Sequence, residues 1–307
     1  MSTPEELVLS ITTEGHSLFQ KAMRRLLKNR LAVFGMVVVG IIAVAAIVGP
    51  ELIYRATGYT YDYIPADSNL VRSFAPSWTH PMGTDNEGRD MLARVLLGGR
   101  ISLMVGIIST IVSLLIGISY GATAGYVGGK LDELMMRIVD ILFAIPYMMV
   151  VIVLLALFGR HTAMGQLLLL FAALGAVSWL TMARIVRGQV ISLKNQEFIT
   201  AARATGVSQW KIVFRHLVPN TIGPVIVYAT LEVPAVMLLE AFLSFLGLGV
   251  QAPLASWGSL AAEGIQNIAV FPWQLIFPGV TMALTLFSLN FIGDGLRDAL
   301  DPQTKRS

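Results

Sequence analysis

Apolar runs long enough to cross a bilayer recur along this chain, separated by shorter segments that hold nearly all the charge. An α-helix rises about 1.5 Å per residue through a hydrocarbon core about 30 Å thick, so roughly 20 apolar residues make one crossing. Six stretches meet that length. The first runs from Leu31 to Pro50 without a charged residue, and the second lies between Arg100 and Lys130, with Ile101 to Ala124 mostly apolar. Asp140 and Arg160 bracket the third, and His161 and Arg184 the fourth. The fifth runs from near Leu217 to Leu246, interrupted by Glu232 and Glu240, and the sixth from Trp273 to Ile292. The pattern predicts an all-α integral membrane protein of six transmembrane helices. Its parts are a tail at 1–30, a first helix at 31–53, a loop at 54–99, a five-helix core at 100–293 that includes a cytoplasmic loop at 184–216, and a second tail at 294–307.

Two polar segments refine this outline. Tyr54 to about His80 is rich in Pro, Asp and Tyr and reads as an external loop with turns. After it, GTDNEGRDMLARVLLGGR sets Leu92, Val95 and Leu96 at helical spacing beside Asp90, Arg94 and Arg100, which predicts an amphipathic helix at the interface before the second span. The first apolar run is too long for a signal peptide and follows a tail carrying Glu5, Glu6 and Glu14, so it reads as a retained anchor.

Composition agrees with a bilayer environment: 55% of the 307 residues are hydrophobic and 13% charged, against about a quarter charged in ordinary soluble domains. The absence of cysteine removes disulfides, thiolate metal cages and cysteine nucleophiles. The net charge of +3 is small and its basic residues are clustered between spans, which argues against a nucleic-acid partner. Those clusters set orientation, because Lys and Arg are retained on the cytoplasmic side. Lys21, Arg24, Arg25, Lys28 and Arg30 precede the first span; Lys130 and Arg137 follow the second; Arg184, Arg187, Lys194, Arg203, Lys211 and Arg215 follow the fourth; Arg297, Lys305 and Arg306 follow the sixth. Both termini are therefore expected in the cytoplasm.

The most informative segment is EFITAARATGVSQWKIVFRHLVPN, from Glu197 to Asn220. It predicts a short helix from Glu197 to Ala204, a break at Gly206, and a second helix capped by Ser208. Trp210, Val213, Phe214 and Leu217 follow at i, i+3, i+4 and i+7, an apolar stripe with Gln209, Lys211 and Arg215 off it. Pro219 is expected to mark the turn into the fifth span. Such a helix serves either to lie on lipid or to enter a groove on a partner. The small pair Ala201 and Ala202 and the glycine break favour docking, since adsorption to lipid requires neither.

This segment resembles the EAA loop of binding-protein-dependent ABC importer permeases, with pattern Glu-Ala-Ala, three residues, Gly, nine residues, Ile-x-Leu-Pro. Ala201, Ala202, Gly206 and Pro219 match, while Thr200, His216 and Val218 depart from it. Three further stretches, HPMGTDNEGRDMLARVLLGGRISL from His80, FLSFLGLGVQAPLASWG from Phe242 and NFIGDGLRDALDP from Asn290, are similar to the C-type permeases of peptide importers, the OppC and DppC branch, as is the N-terminal KNRLAVFG. The resemblance implies a type I importer permease fold in a bacterial inner membrane. It also implies a heteromer of this subunit, a homologous second permease, two cytoplasmic ATPase subunits or domains and an extracytoplasmic peptide-binding protein, with lipid around it. The ATPase-coupling loop would use Glu197, Ala201, Ala202, Arg203, Gly206, Ser208, Trp210, Val213 and Phe214. No Walker A pattern occurs here, so this chain is read as a transport subunit without a cofactor, and ATP and Mg as belonging to its partners.

Glu232 and Glu240 are ionisable residues inside a span, where such groups tend to face a cavity or a protein partner. Eight residues apart, they lie about 80° around a helix and about 12 Å along it, so either they line a translocation path or they bond to neighbouring helices. Arg184 and Arg187 read as headgroup anchors or contacts to a partner, Asp140 as a helix-end or interface residue, and Asp85, Glu87, Arg89 and Asp90 as a turn with an ion-pair cluster. Asp294, Arg297, Asp298 and Asp301 are expected to close the chain's end against the cytoplasmic loop or to contact an ATPase. An ion-coupled secondary transporter would show inverted repeats and interrupted ion-binding helices, and no repeat between the halves is evident. No nucleophile, base and oxyanion set suggests an enzyme.

Overall fold

A computed structural model describes residues 18–64, 73–159 and 162–300; Glu5, Glu6, Glu14, Arg160, His161, Asp301, Lys305 and Arg306 lie outside them. Among the described residues there is no β-strand, only an isolated bridge between Thr84 and Asp90. Five unbroken helices are long and apolar enough to cross a membrane: Arg30–Thr57, Met91–Val127, Ala163–Leu193, Gln209–Phe245 and Trp273–Leu300. A bent pair, Gly129–Ala144 and Tyr147–Phe158, meets at 77° and supplies the remaining crossing when counted as one. These are spans 1 to 6 in chain order, with the bent pair as span 3, and an even number returns both ends to one side.

Span 1 starts where Asn29 Oδ1 accepts from the backbone N–H of Leu31 and Ala32 at 3.1 and 3.2 Å, and stops at Gly58, whose φ of +75° suits glycine. It passes through Pro50 and ends beyond the expected 53, at Thr57. Val37, Ile41, Val44, Ile47 and Val48 are exposed along it, which is the apolar surface a lipid-facing helix presents.

Span 2 corrects the expected interfacial helix. Asp90 caps it by accepting from Ala93 N–H at 2.8 Å, and the helix then runs without interruption to Val127. At 1.5 Å per residue its length is about 55 Å, far more than the hydrocarbon, so its first turns stand above the bilayer in contact with protein. Met91 and Val95 pack with Trp257 and Leu260 in one buried cluster instead of facing lipid. Further along, Gly117, Gly121 and Gly125 recur every fourth residue and lie directly against Met182, Ala183, Arg187 and Val190 of span 4. With no hydrophobic force between helices in lipid, close approach of this kind is what binds them.

Span 3 breaks at Ile145 and Pro146 because proline has no N–H to continue the helix and restricts the residue before it. The expected boundary at Asp140 therefore shifts: Asp140 lies inside the first half of the span. Span 4 runs on past the expected end at Arg184 to Leu193. Between spans 5 and 6, Ser256 and Ser259 cap each other reciprocally to start a short helix, Trp257–Ile265, that the apolar pattern did not reveal. Span 6 extends to Leu300, and Gly295 there lies against Ala32, Leu26 and Asn29. The described end of span 6 thus packs on span 1 and the helix Leu18–Leu26.

Candidate functional site

The cytoplasmic segment after span 4 is assembled from two short helical pieces. Glu197–Ala204 is a helix whose end is locked by Gly206 N–H bonding to Arg203 O at 3.0 Å and Val207 N–H to Ala202 O at 3.1 Å. This paired closure needs a left-handed residue, and Gly206 supplies it with φ +77°. Ile199 and Ala202 face inward and join Met182, Val186 and Val190 of span 4 in a buried cluster. Glu197, Ala201 and Arg203 face outward, with the Arg203 guanidinium 5.4 Å from the Tyr126 ring centroid.

Three expectations are corrected beyond the break. Ser208 sits at the cap position, but its side chain makes no capping bond; only its carbonyl accepts, from Ile212 N–H at 3.0 Å. Pro219 marks no turn, because the second piece is continuous with span 5 through a π-helical stretch, Ile212–Leu217. A proline in the first turns of the following α-helix needs no N–H partner one turn back. The apolar stripe also divides. Val213 and Leu217 are buried in one cluster with residues of spans 2 and 4, whereas Trp210 and Phe214 are 64% and 47% exposed and stack on each other, centroids 5.8 Å apart at 10°. The wider π turn rotates the side chains out of the single α-helical register that the spacing implied. The result is an aromatic knob with Lys211 and Arg215 beside it, at the tip of a helix that reaches Phe245.

Two arginines near this segment, Arg184 and Arg187, are paired within the chain. Arg187 holds Asp132 bidentately at 2.5 and 2.7 Å, and Arg184 donates to Asp140 at 2.7 Å while lying 4.0 Å over the Phe143 ring. Lys194 donates to Gly125 O at 2.9 Å. These contacts fasten the cytoplasmic ends of spans 2, 3 and 4 into one unit.

The two carboxylates of span 5 are not brought to one cavity. Glu240 is 1% exposed, and one of its oxygens accepts from Ser244 and Ser256 hydroxyls, both at 2.6 Å. It anchors the start of the short helix Trp257–Ile265, whose Trp257 donates through its backbone to Ser102 at 3.1 Å and through its ring to Val95 O at 2.9 Å. Glu232 instead lines a cavity of about 440 Å³ with residues of both halves of span 3, span 4 and span 5. Neither of its oxygens has a hydrogen-bond partner. The hydroxyls of Ser113 and Ser178 are its polar neighbours, but Ser178 donates to Leu174 O at 3.0 Å and Ser113 is itself unbonded.

On the outer side, the Asp85 cluster is an interlocked clasp. Asp85 takes Arg89 at 2.6 Å and Arg94 at 2.5 Å, Arg94 also reaches Glu263 at 2.8 Å, and His80 meets Asp90 at 2.8 Å. Gln274 and Trp273 of span 6 both donate to Thr84 O at 3.1 Å. Sequence reasoning placed this ion-pair cluster but missed Glu263, which is 169 residues from Arg94. It also missed Ser113, Pro146 and the Ser256–Ser259 cap; the serine spacing before an apolar run was the available signal for the last.

The family model described as the binding-protein-dependent transport system inner membrane component matches residues 113–306, and one described as the N-terminal TM domain of oligopeptide transport permease C matches residues 17–76. Oligopeptide transport system permease protein OppC of Haemophilus influenzae is 49% identical over 294 residues, 95% of this chain and 91% of that protein. Dipeptide transport system permease protein DppC of Bacillus subtilis is 42% identical over 298 residues, 97% of this chain and 89% of that protein. Among solved structures, an inward-facing form of the MetNI methionine ABC transporter aligns with a TM-score of 0.54 at 20% identity, covering 69% of this chain and 98% of that one.

Proposed function

Because the chain belongs to the family of binding-protein-dependent transport system inner membrane components, we propose that it is a permease subunit of an ATP-driven oligopeptide importer, moved by partner ATPases through its cytoplasmic loop. It is a multi-pass protein of the bacterial inner membrane with the type I importer permease fold. Its partners in this reading are a homologous second permease, two ATPase subunits or domains that hold ATP and Mg, and an extracytoplasmic peptide-binding protein. Family membership sets aside the ion-coupled alternative.

The observation that carries the coupling is the exposed Trp210–Phe214 stack at the tip of a helix unbroken to Phe245. A pair of aromatic rings beside cationic side chains fits a groove on another protein, where such residues are the usual anchors. Movement of the tip is transmitted because Ile212, Val213 and Leu217 lie in one buried cluster with residues of spans 2 and 4, and span 5 carries it to the Glu232 cavity. Such coupling requires the ATPase to contact the tip differently in its open and closed states. The cargo is supported by the relatives named for oligopeptides and dipeptides.

Reconstitution of the heteromer in vesicles tests this. Peptide uptake is expected only with ATP on the ATPase side. Uptake driven by an ion gradient without ATP contradicts it.

A further inference from the structure

Span 3 is broken where Pro146 interrupts it, and the break opens the cavity of about 440 Å³ that Glu232 lines. Its other walls are mostly apolar or aromatic, among them Phe143, Tyr147, Leu180, Leu231 and Leu239. Glu232 is only 6% exposed, and both carboxylate oxygens lack a hydrogen-bond partner. Leaving a carboxylate enclosed with no charge partner and only the Ser113 and Ser178 hydroxyls beside it is costly, so the site suits a cationic group that the chain alone does not provide.

The chemistry of that something is constrained. No Lys, Arg or His lines the cavity; Arg184, which touches its wall through Phe143, is paired with Asp140. A hard metal ion requires several converging oxygens, and among the described residues no group of three or more His, Asp or Glu could hold one. One carboxylate with hydroxyls near it in an apolar chamber suits a compact organic cation with three N–H donors. An ammonium group of that kind bonds the carboxylate while the remainder of its molecule lies on the apolar wall.

We infer that Glu232 receives the free α-ammonium group of a peptide during its passage, holding the amino-terminal end in the cavity at the span 3 break. This rests on the importer reading and specifies which end of the cargo the subunit contacts. Glu240, bonded to two serines and away from this cavity, plays no part in it.

The test uses the assembled heteromer and two probes, trialanine and N-acetyltrialanine, which differ in the ammonium group. A lipophilic carbodiimide labels accessible carboxyls in apolar surroundings, and labelling at Glu232 is read by peptide mass mapping. Trialanine is expected to protect Glu232 at least fivefold, and N-acetyltrialanine not at all. Glu232→Gln is expected to lower ATP-driven trialanine uptake at least tenfold while the heteromer still co-purifies. Absence of labelling at Glu232, equal protection by both probes, or wild-type uptake by Glu232→Gln overturns the inference. The labelling arm needs no variant, so a folding failure of Glu232→Gln leaves the test intact. If the wild-type heteromer takes up no trialanine with ATP, the importer reading itself fails; with uptake present and protection absent, only the Glu232 assignment fails.

Discussion

Arg94 is among the largest side chains wholly enclosed in the protein, and it holds together segments distant in sequence. It lies 2.5 Å from Asp85 in the outer loop and 2.8 Å from Glu263 on the short helix Trp257–Ile265. Breaking a buried pair by deleting one partner leaves the other charge uncompensated, at a cost of roughly 3–5 kcal/mol. Arg89 still holds Asp85, so Arg94→Ala is expected near the low end, about 3 kcal/mol. Thermal unfolding of the detergent-purified protein checks this. A second pair of substitutions isolates helix contact from helix propensity. A Cβ on Gly121 meets the carbonyl of Ala183, whereas one on Gly188 meets nothing within 4 Å. Gly121→Ala should destabilise by about 1–3 kcal/mol through overpacking, and Gly188→Ala should be neutral or slightly stabilising. At this scale the sequence disclosed residue types but few partners. The charges of Asp85, Arg89 and Asp90 were legible because they crowd one short stretch. Glu263 and Asp132 were not, because their partners arrive only when separate spans pack.

The coupling segment is the element where local chemistry and mechanics meet. Gly206 at φ +77° closes the first helix, and proline, fixed near −65°, cannot take that conformation. Gly206→Pro should reorient the Trp210 tip, and Trp210→Asp should place a charge on the exposed stack; both are expected to insert normally and to lose most ATPase co-purification. Unchanged co-purification with both variants contradicts the docking role. The helix break was readable from the glycine. The division of the stripe was hidden, because α-helical spacing predicts one face and only the π turn separates Val213 and Leu217 from Trp210 and Phe214. The bend in span 3 was signalled by Pro146 within an apolar run, yet hydropathy alone treats bent and straight helices alike. Hydropathy likewise could not separate an interfacial helix from the first turns of span 2, since both present Leu92, Val95 and Leu96 at helical spacing.

For the whole molecule, the number of crossings followed from apolar run length, because lipid leaves the backbone few alternatives to the helix. The boundaries were less legible: spans 4 and 6 continue past their expected ends at Arg184 and Ile292 to Leu193 and Leu300, because a helix does not stop where its apolar run does. The Glu232 cavity is also a property of the whole, since spans 3, 4 and 5 each contribute a wall. The central claim is that motion enters this assembly through the Trp210 tip. The chain has no cysteine, so Gln209→Cys, exposed next to Trp210, gives its one thiol while keeping the aromatic stack, and a short bifunctional crosslinker can be applied to the assembled heteromer with and without ATP. The account predicts a crosslink to an ATPase subunit whose yield changes severalfold when ATP is bound. Crosslinking only to lipid, in every nucleotide state, would contradict it.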